Sequence, residues 1–195
     1  MSVILPYSKK PFMLPNNLYI IGTMNTADRS IALLDTALRR RFEFVEMMPD
    51  PDLLTEQPDG IDLKKILTII NERITFLLDR DHTIGHSYFL HVKSKADLAA
   101  TFKNKIIPLL QEYFYTDWSK IRRVLGDHKK WKTEDQMLVV EARKYNTADE
   151  KSLFGDDLED YDDVVVYDLN PFLKKGDFER IPVGAFTGIY KSMED

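Results

Sequence analysis

Two polar clusters near the N-terminus have residue types and spacing suited to nucleotide chemistry. Asn25 follows the apolar run at residues 18–21, and an Asn held at the end of a buried strand can orient a water molecule against a phosphate. Arg40 and Arg41 belong to a run of three arginines. Guanidinium groups are always charged and fork-shaped, so they can act on a neighbouring subunit's nucleotide as arginine fingers.

Each cluster also has a plainer structural interpretation. An Asn that follows a strand commonly bonds its own backbone in a tight turn. Cations at the C-terminus of a helix are stabilised by the helix dipole and then serve only as a solvated helix end. Either cluster taken alone therefore leaves both interpretations open.

The segments around these clusters predict a hairpin, a strand, a helix and a second strand. Residues 3–15 have the pattern of a β-hairpin, and residues 18–21 that of a strand buried on both faces. Residues 31–40 have the apolar spacing of a short amphipathic helix, and residues 42–45 predict the second strand. In open α/β sheets, ligands bind at the carboxyl ends of the strands, which is where Asn25 would lie.

Three amphipathic helices are predicted next. Residues 62–79 carry the clearest helical periodicity in the chain. Residues 95–115 predict a second helix that Pro108 should kink or split. Residues 117–125 predict a third, with Gly126 in the left-handed position that ends it.

The last third of the chain has weaker patterns. Residues 137–140 and 164–167 predict two paired strands, and residues 170–195 read as irregular. The acidic run at residues 156–163 lacks the alternating ligands and central glycine of a calcium loop, so it predicts a solvated loop.

Composition excludes several classes of function. The 195 residues carry 27 Lys and Arg against 32 Asp and Glu, for a net charge of -5, which argues against non-specific nucleic-acid binding. There is no cysteine, so no disulfide or thiolate site can form, as in a reducing cytoplasm. His82, His86 and His91 lack a further ligand at metal-binding spacing, so we predict no metal site. We expect a soluble cytoplasmic protein without a membrane segment.

A longer pattern joins the two clusters. The run Asn17-Leu-Tyr-Ile-Ile-Gly-Thr-Met-Asn-Thr-Ala-Asp-Arg-Ser, followed by Leu-Leu-Asp-Thr-Ala-Leu-Arg-Arg-Arg-Phe42, closely resembles the second half of the AAA+ motor domain of the McrB family, the GTPase subunits of 5-methylcytosine-specific restriction systems. A looser resemblance includes residues 84–89, 107–114 and 125–127 and extends the match over residues 3–128.

The resemblance implies a fold class and a domain order. The class is α/β, or α+β for this chain in isolation, and the chain would be the C-terminal part of an AAA+ P-loop NTPase domain. Residues 1–60 would hold the hairpin, two core strands and a helix of the α/β core. Residues 61–128 would form a helical lid, and residues 129–195 a small extension, in part irregular, with a possible β-hairpin.

The resemblance also implies residue roles. Asn25 would be sensor 1, near the γ-phosphate and the attacking water. Arg40 and Arg41 would be the arginine fingers, acting in trans on the adjacent subunit. The remaining nucleotide-binding or inter-subunit positions would be Asp28, Arg29 and Asp35.

Two further comparisons with nucleotide-binding motifs are weaker. Residues 25–28 can be compared with the Asn-Lys-x-Asp element that reads guanine, but Thr26 stands where that element has lysine. The second sensor of the family would lie near residues 85–87, where its usual arginine is absent.

The cofactors and partners follow from the same resemblance. A complete motor would use GTP or ATP with Mg²⁺, form a homo-oligomeric ring, and work with an McrC-like nuclease subunit, contacting DNA through other domains. The sequence contains no Gly-x-x-x-x-Gly-Lys-Ser/Thr and no strand ending in Asp-Glu. We therefore expect part of a motor that is inactive and binds no nucleotide tightly on its own. In the AAA+ sheet the phosphate-loop strand separates residues 18–21 from 42–45, so both segments should lack a partner strand here.

Two alternatives to a motor fragment stay open. The chain could be a non-catalytic accessory subunit that supplies Arg40 and Arg41 in trans to an intact motor. It could also be an unrelated DNA-binding module whose arginines contact phosphates, although the net charge of -5 argues against this.

Overall fold

A computed structural model of the chain describes residues 2–24, 40–128, 132–155 and 164–191. It divides into two compact units, Met1–Phe42 and Glu43–Asp195. The predicted helix at residues 31–40 lies outside the described residues except for its last residue, and the acidic run at 156–163 lies wholly outside them.

The first unit contains the predicted hairpin. Strand β1 (Ser2–Ile4) pairs antiparallel with β2 (Pro11–Met13), and Val3 faces Phe12. The Leu5 N–H donates to the Lys10 carbonyl at 3.0 Å, which closes the turn. The hairpin expected at residues 3–15 is therefore confirmed.

The two predicted core strands are absent from the described structure. Residues 18–21 and 42–45 are not strands, and Ile21 and Val45 are 94% and 79% exposed. A strand forms only where another strand accepts and donates its backbone hydrogen bonds. None of the described strands pairs with either segment, so the two predicted strands were wrong for the described residues.

The second unit is built around helix α1 (Leu63–Leu77), which confirms the helix predicted at residues 62–79. The Asp62 side chain caps its N-terminus by accepting from the Lys65 N–H at 2.9 Å. A stripe of aliphatic side chains at helical spacing is completely buried, and consists of Leu63, Ile66, Leu67, Ile70 and Ile74.

The second predicted helix is divided into three parts. Helix α2 (Lys95–Thr101) passes into a π-helical turn (Phe102–Ile106) and then into α3 (Ile107–Tyr113). The Ile107 N–H donates to the Phe102 carbonyl, five residues back. Pro108, in the first turn of α3, has no N–H to continue the α-helical pattern, so the predicted break occurs as a wider turn.

Helix α4 (Trp118–Leu125) matches its prediction. The Asp117 side chain accepts from the Lys120 N–H at 3.2 Å at the start of the helix. At its end, Gly126 has a φ of 67°, a left-handed conformation that favours glycine.

The predicted strand pair also forms, with longer strands than expected. Strand β3 (Val139–Lys144) pairs antiparallel with β4 (Val165–Leu169), with an irregularity between Glu141 and Arg143. Helix α5 (Thr147–Phe154) follows β3. The described residues thus hold helices and two separate two-stranded sheets, which fits the α+β class.

The prediction of an irregular tail was wrong. Residues 170–191 contain α6 (Pro171–Lys175) and α7 (Gly184–Tyr190). Phe186 of α7 is fully buried, with its ring 5.4 Å from that of Phe102. Helices this short have little stability of their own and form because they pack against a core, so periodicity could not identify them. The predicted domain boundaries at residues 60 and 128 stay predictions.

A buried ion pair lies between α4 and the tail. The Lys132 Nζ donates to Asp127 Oδ1 at 2.7 Å and to the Leu125 carbonyl at 2.9 Å. Asp127 Oδ2 accepts from the Val139 N–H at 2.8 Å, and both charged side chains are completely buried. A Cβ at Gly188 of α7 would lie 2.8 Å from the Lys132 Cγ, so glycine permits α7 to pack over the lysine.

Loss of one partner of this ion pair should be strongly destabilising. We expect Lys132→Met to lower the free energy of unfolding by about 3–5 kcal/mol, because Asp127 would stay buried without its counter-charge. The double variant with Asp127→Asn should cost less than the sum of the single variants. Urea unfolding measures all three, with Lys174→Met as the control, since its pair with Asp168 is exposed and worth less than about 1 kcal/mol. Equal costs for Lys132→Met and Lys174→Met would contradict the expectation.

The capping box of α2 should contribute both stability and a pH dependence. The Asp97 N–H donates to the Ser94 Oγ at 3.1 Å, and the Ser94 N–H donates to Asp97 Oδ2 at 3.0 Å. We expect Ser94→Ala to cost about 1 kcal/mol in unfolding free energy. Ser119→Ala, at an exposed position of α4, should stay within about 0.5 kcal/mol.

The charge of Asp97 determines the pH range of this contribution. Hydrogen bonding by Ser94 and the Lys93 N–H lowers the pKa of Asp97 below its usual value. Because the folded pKa is depressed, the contribution is present above the unfolded pKa and is lost as pH falls through the folded pKa. As pH is lowered, the free energy of unfolding should therefore fall less steeply in the Asp97→Asn variant than in the unaltered chain. An equally steep fall in both would contradict this expectation.

Candidate functional site

The two predicted finger arginines are available to another molecule. Arg40 and Arg41 lie in a turn at the end of the first unit, and both side chains are exposed. Among the described residues, none forms a hydrogen bond or salt bridge with either arginine. Their guanidinium groups can therefore bind a phosphate or a carboxylate, and their finger role stays a prediction.

The other predicted site residues lie outside the described part of the chain. These are the sensor-1 candidate Asn25 and the nucleotide-binding or inter-subunit candidates Asp28, Arg29 and Asp35. The roles of these residues therefore stay predictions as well.

Helix α1 carries polar residues that join it to three other segments. The Asn71 side chain donates to the Ile84 carbonyl at 2.9 Å and accepts from the Ile84 N–H at 2.7 Å. The Arg73 guanidinium donates to the Val124 carbonyl and to the Ile189 carbonyl, both at 2.8 Å. Burial lowers the pKa of Arg73. Its two hydrogen bonds connect α1 to the ends of α4 and α7.

Sequence analysis did not identify this role of Asn71 and Arg73. Both residues border the apolar stripe, next to the buried Ile70 and Ile74. The one signal in the sequence is that each polar residue adjoins a buried apolar stripe, which indicates that its side chain could have a structural role. This signal does not show which distant carbonyls accept hydrogen bonds from the side chain.

The predicted second-sensor segment, residues 85–87, lies in the loop that Asn71 anchors. His86 Nδ1 accepts from the Asp50 N–H at 3.0 Å, which connects this loop to the start of the second unit. His82 instead hydrogen-bonds Asp79 at 2.6 Å and packs edge-on against Tyr113. This bond with His82 lowers the pKa of the Asp79 carboxyl.

Across residues 2–24, 40–128, 132–155 and 164–191, no three His, Asp or Glu side chains are grouped so that they could hold a metal ion. In the same ranges, no helix has both the length and the apolar character needed to cross a membrane.

An open groove of about 480 Å³ lies beside α1, and we call it the α1 groove. Met48 and Pro51 line one side, and Thr75 and Phe76 of α1 line the other. Phe76 is 88% exposed. Glu72 places a carboxylate on the same wall, so the groove combines apolar surface with one negative charge.

Comparison with known proteins identifies the helical part of this arrangement. Residues 62–122 match the family model described as the McrB alpha-helical lid domain. This range begins at the cap of α1 and ends within α4.

A longer match comes from a curated relative. The chain is 37% identical over 152 residues to the type IV methyl-directed restriction enzyme EcoKMcrB subunit of Escherichia coli (strain K12). The match covers 65% of this chain and 33% of the relative, so the chain spans about a third of the relative's length.

Helices α1 to α3 and most of α4 thus lie within the match to a known domain, and the match to the E. coli relative is longer than this range. Residues 62–122 are therefore similar to the McrB alpha-helical lid domain, and 65% of the chain is similar to the E. coli restriction subunit.

Proposed function

We propose that this chain works within an McrB-like AAA+ NTPase motor that drives modification-dependent DNA restriction. The match of residues 62–122 to the McrB lid domain carries the proposal. The exposed Arg40 and Arg41 support it, because an arginine that acts on another subunit must be free to leave its own.

In this proposal the chain contributes charge and position to phosphoryl transfer. Negative charge builds on the transferred phosphoryl group, and Arg40 and Arg41 of one subunit would stabilise it in the next. Asn25 would orient the attacking water, as sensor 1. Asp28, Arg29 and Asp35 would shape the contact between subunits around the nucleotide.

The lid would move as one packed body, and it would transmit movement between the nucleotide and the neighbouring subunits. Arg73 bonds α1 to the ends of α4 and α7, and Asn71 bonds it to the loop at Ile84. A displacement of α1 would therefore carry these segments with it, because several buried or half-buried bonds must otherwise break.

The proposed motor is a cytoplasmic ring of such subunits. Its nucleotide would be GTP or ATP with Mg²⁺, and its nuclease partner would be an McrC-like subunit. DNA would be contacted through other domains, which agrees with the net charge of -5 on this chain. The exposure of Arg40 and Arg41 also favours a second candidate, an accessory subunit that donates them to an intact motor.

Complementation tests the finger role. We expect the chain to restore GTP hydrolysis to an intact motor of this kind whose own finger arginines have been replaced by alanine. A chain with Arg40→Ala and Arg41→Ala should fail to do so, since finger arginines contribute about 10³–10⁵-fold to turnover. Arg123→Ala, an exposed arginine on α4, is the matched control and should restore hydrolysis. No restoration by the unaltered chain would overturn the proposal.

Nucleotide affinity gives a separate test. The sequence contains no glycine-rich phosphate loop with its lysine, whose backbone N–H groups supply most phosphate contacts in P-loop proteins. We therefore expect no saturable binding of labelled GTP or ATP to this chain alone in equilibrium dialysis at micromolar concentrations with Mg²⁺. Tight binding would contradict the proposal that this chain contributes charge and position to the reaction without a phosphate loop of its own.

A further inference from the structure

A small pocket of about 270 Å³ lies against α2 and the π-helical turn that follows it, and we call it the α2 pocket. One wall comes from the loop between Ser87 and Val92, and the other from residues of α2 and the π-helical turn that recur three or four positions apart and so share a face. Ala100 leaves room between them with its single methyl group. This volume is near the lower end for ligand pockets and suits a small molecule.

Thr101 at the end of α2 is the strongest sign of a ligand in this pocket. Its side chain lines the pocket, and the residue is only 8% exposed. The hydroxyl forms no hydrogen bond with any described residue and does not cap the π-helical turn that begins at Phe102. A buried hydroxyl without a partner is costly, and π-helical turns occur frequently at functional sites. The geometry therefore leaves a hydrogen-bonding group facing a space that a ligand can fill.

Other polar side chains of the pocket are in the same situation. Ser87, Asn104 and Lys105 line it, and none of the three forms a side-chain hydrogen bond or a salt bridge with another described residue. Lys103, in the same π-helical turn, differs because its Nζ donates to the Lys174 carbonyl at 2.8 Å. One lysine of the turn thus holds the fold together, while the other offers its charge to the pocket.

The charges of the pocket limit what it can hold. Asp97 also lines the pocket, and its Oδ2 accepts from the N–H groups of Lys93 and Ser94 at 3.2 and 3.0 Å. This carboxylate is fixed in place and would repel an anion with two charges, such as a phosphate monoester. An anion with one charge can pair with Lys105 and meet less repulsion. The neighbouring hydroxyl and amide groups can both donate and accept, so they suit a polar group beside that charge.

We propose that the α2 pocket binds a small molecule that carries one carboxylate beside an amide group. Lys105 pairs with the carboxylate, and the Thr101 and Ser87 hydroxyls donate hydrogen bonds to its oxygens. The Asn104 side chain recognises the adjacent amide through its own donor and acceptor. This inference goes beyond the proposed motor function, since neither the nucleotide nor Arg40 and Arg41 takes part in it.

Binding of N-acetylglycine to the full chain tests the pocket, because this compound joins one carboxylate to one amide. We expect saturable NMR shifts in the backbone amide signals of residues 100–105, with a Kd of about 10 mM or lower for a ligand of this size. N-acetylglycinamide has the same shape without the charge and should bind at least about tenfold more weakly. Inorganic phosphate should also bind more weakly than N-acetylglycine.

Two variants identify the groups that bind. Lys105→Met should weaken binding of N-acetylglycine at least about tenfold, because a charged hydrogen bond is lost. Lys120→Met removes an exposed lysine of α4 that lies outside the pocket and should leave the Kd unchanged. Thr101→Val keeps the shape of the side chain and removes its hydroxyl, so it should weaken binding about three- to tenfold.

The stability of Thr101→Val separates a ligand-binding role from a structural one. Without ligand, this variant should resist urea at least as well as the unaltered chain, because the hydroxyl has no partner to lose. Unfolding at a lower urea concentration would show that the hydroxyl supports the fold and would overturn the inference. The same conclusion follows from the absence of saturable shifts with N-acetylglycine, from tighter binding of phosphate or N-acetylglycinamide, or from unchanged binding in Lys105→Met.

Discussion

The burial of one face of α1 is the constraint on which the second unit depends. Five aliphatic side chains of this helix, from Leu63 to Ile74, lie completely out of contact with water. A single helix cannot bury such a stripe alone, so other segments must cover it. Every buried apolar residue among those described lies between Leu54 and Tyr190. For the described residues, this core therefore provides the stabilisation that comes from burying apolar side chains.

The covering segments bring polar groups into the core, and the structure satisfies them. Arg73 and Lys132 both direct their charges to backbone carbonyls, and Lys132 also pairs with Asp127. Burial lowers the pKa of Lys132, while the attraction of Asp127 opposes that change. Because a buried charge without a partner is costly, these bonds determine which arrangement of α4, β3 and α7 around α1 is stable.

The N-terminal residues present the opposite situation. Ile20 and Ile21 have the sequence of a buried strand, yet they are exposed and unpaired with any described strand. The same holds for Val45. Apolar residues with strong strand propensity need a sheet to pack into. A sequence typical of a buried strand therefore does not form a strand where no partner strand lies beside it.

Some elements of the structure could be predicted from the sequence and others could not, for physical reasons. Helix α1 was predictable because its apolar spacing persists over four turns, and Gly126 because few other residues adopt its left-handed conformation. Helices α6 and α7 were missed since their five and seven residues are stabilised by packing and not by propensity. The π-helical turn before Pro108 was anticipated as a kink, but its form depends on how the flanking side chains pack.

The sequence by itself determined the identity of the chemical groups and their order: the arginines at 40 and 41, the asparagine at 25, and a run of amphipathic helices after Asp62. These follow from local residue type and spacing, which need no knowledge of distant contacts. Only the tertiary structure decided that Arg73 bonds the ends of α4 and α7, that Asp127 meets Lys132, and that Glu72 faces a groove beside Met48. Those relations join residues far apart in the chain, and they arise from the way the buried face of α1 is covered.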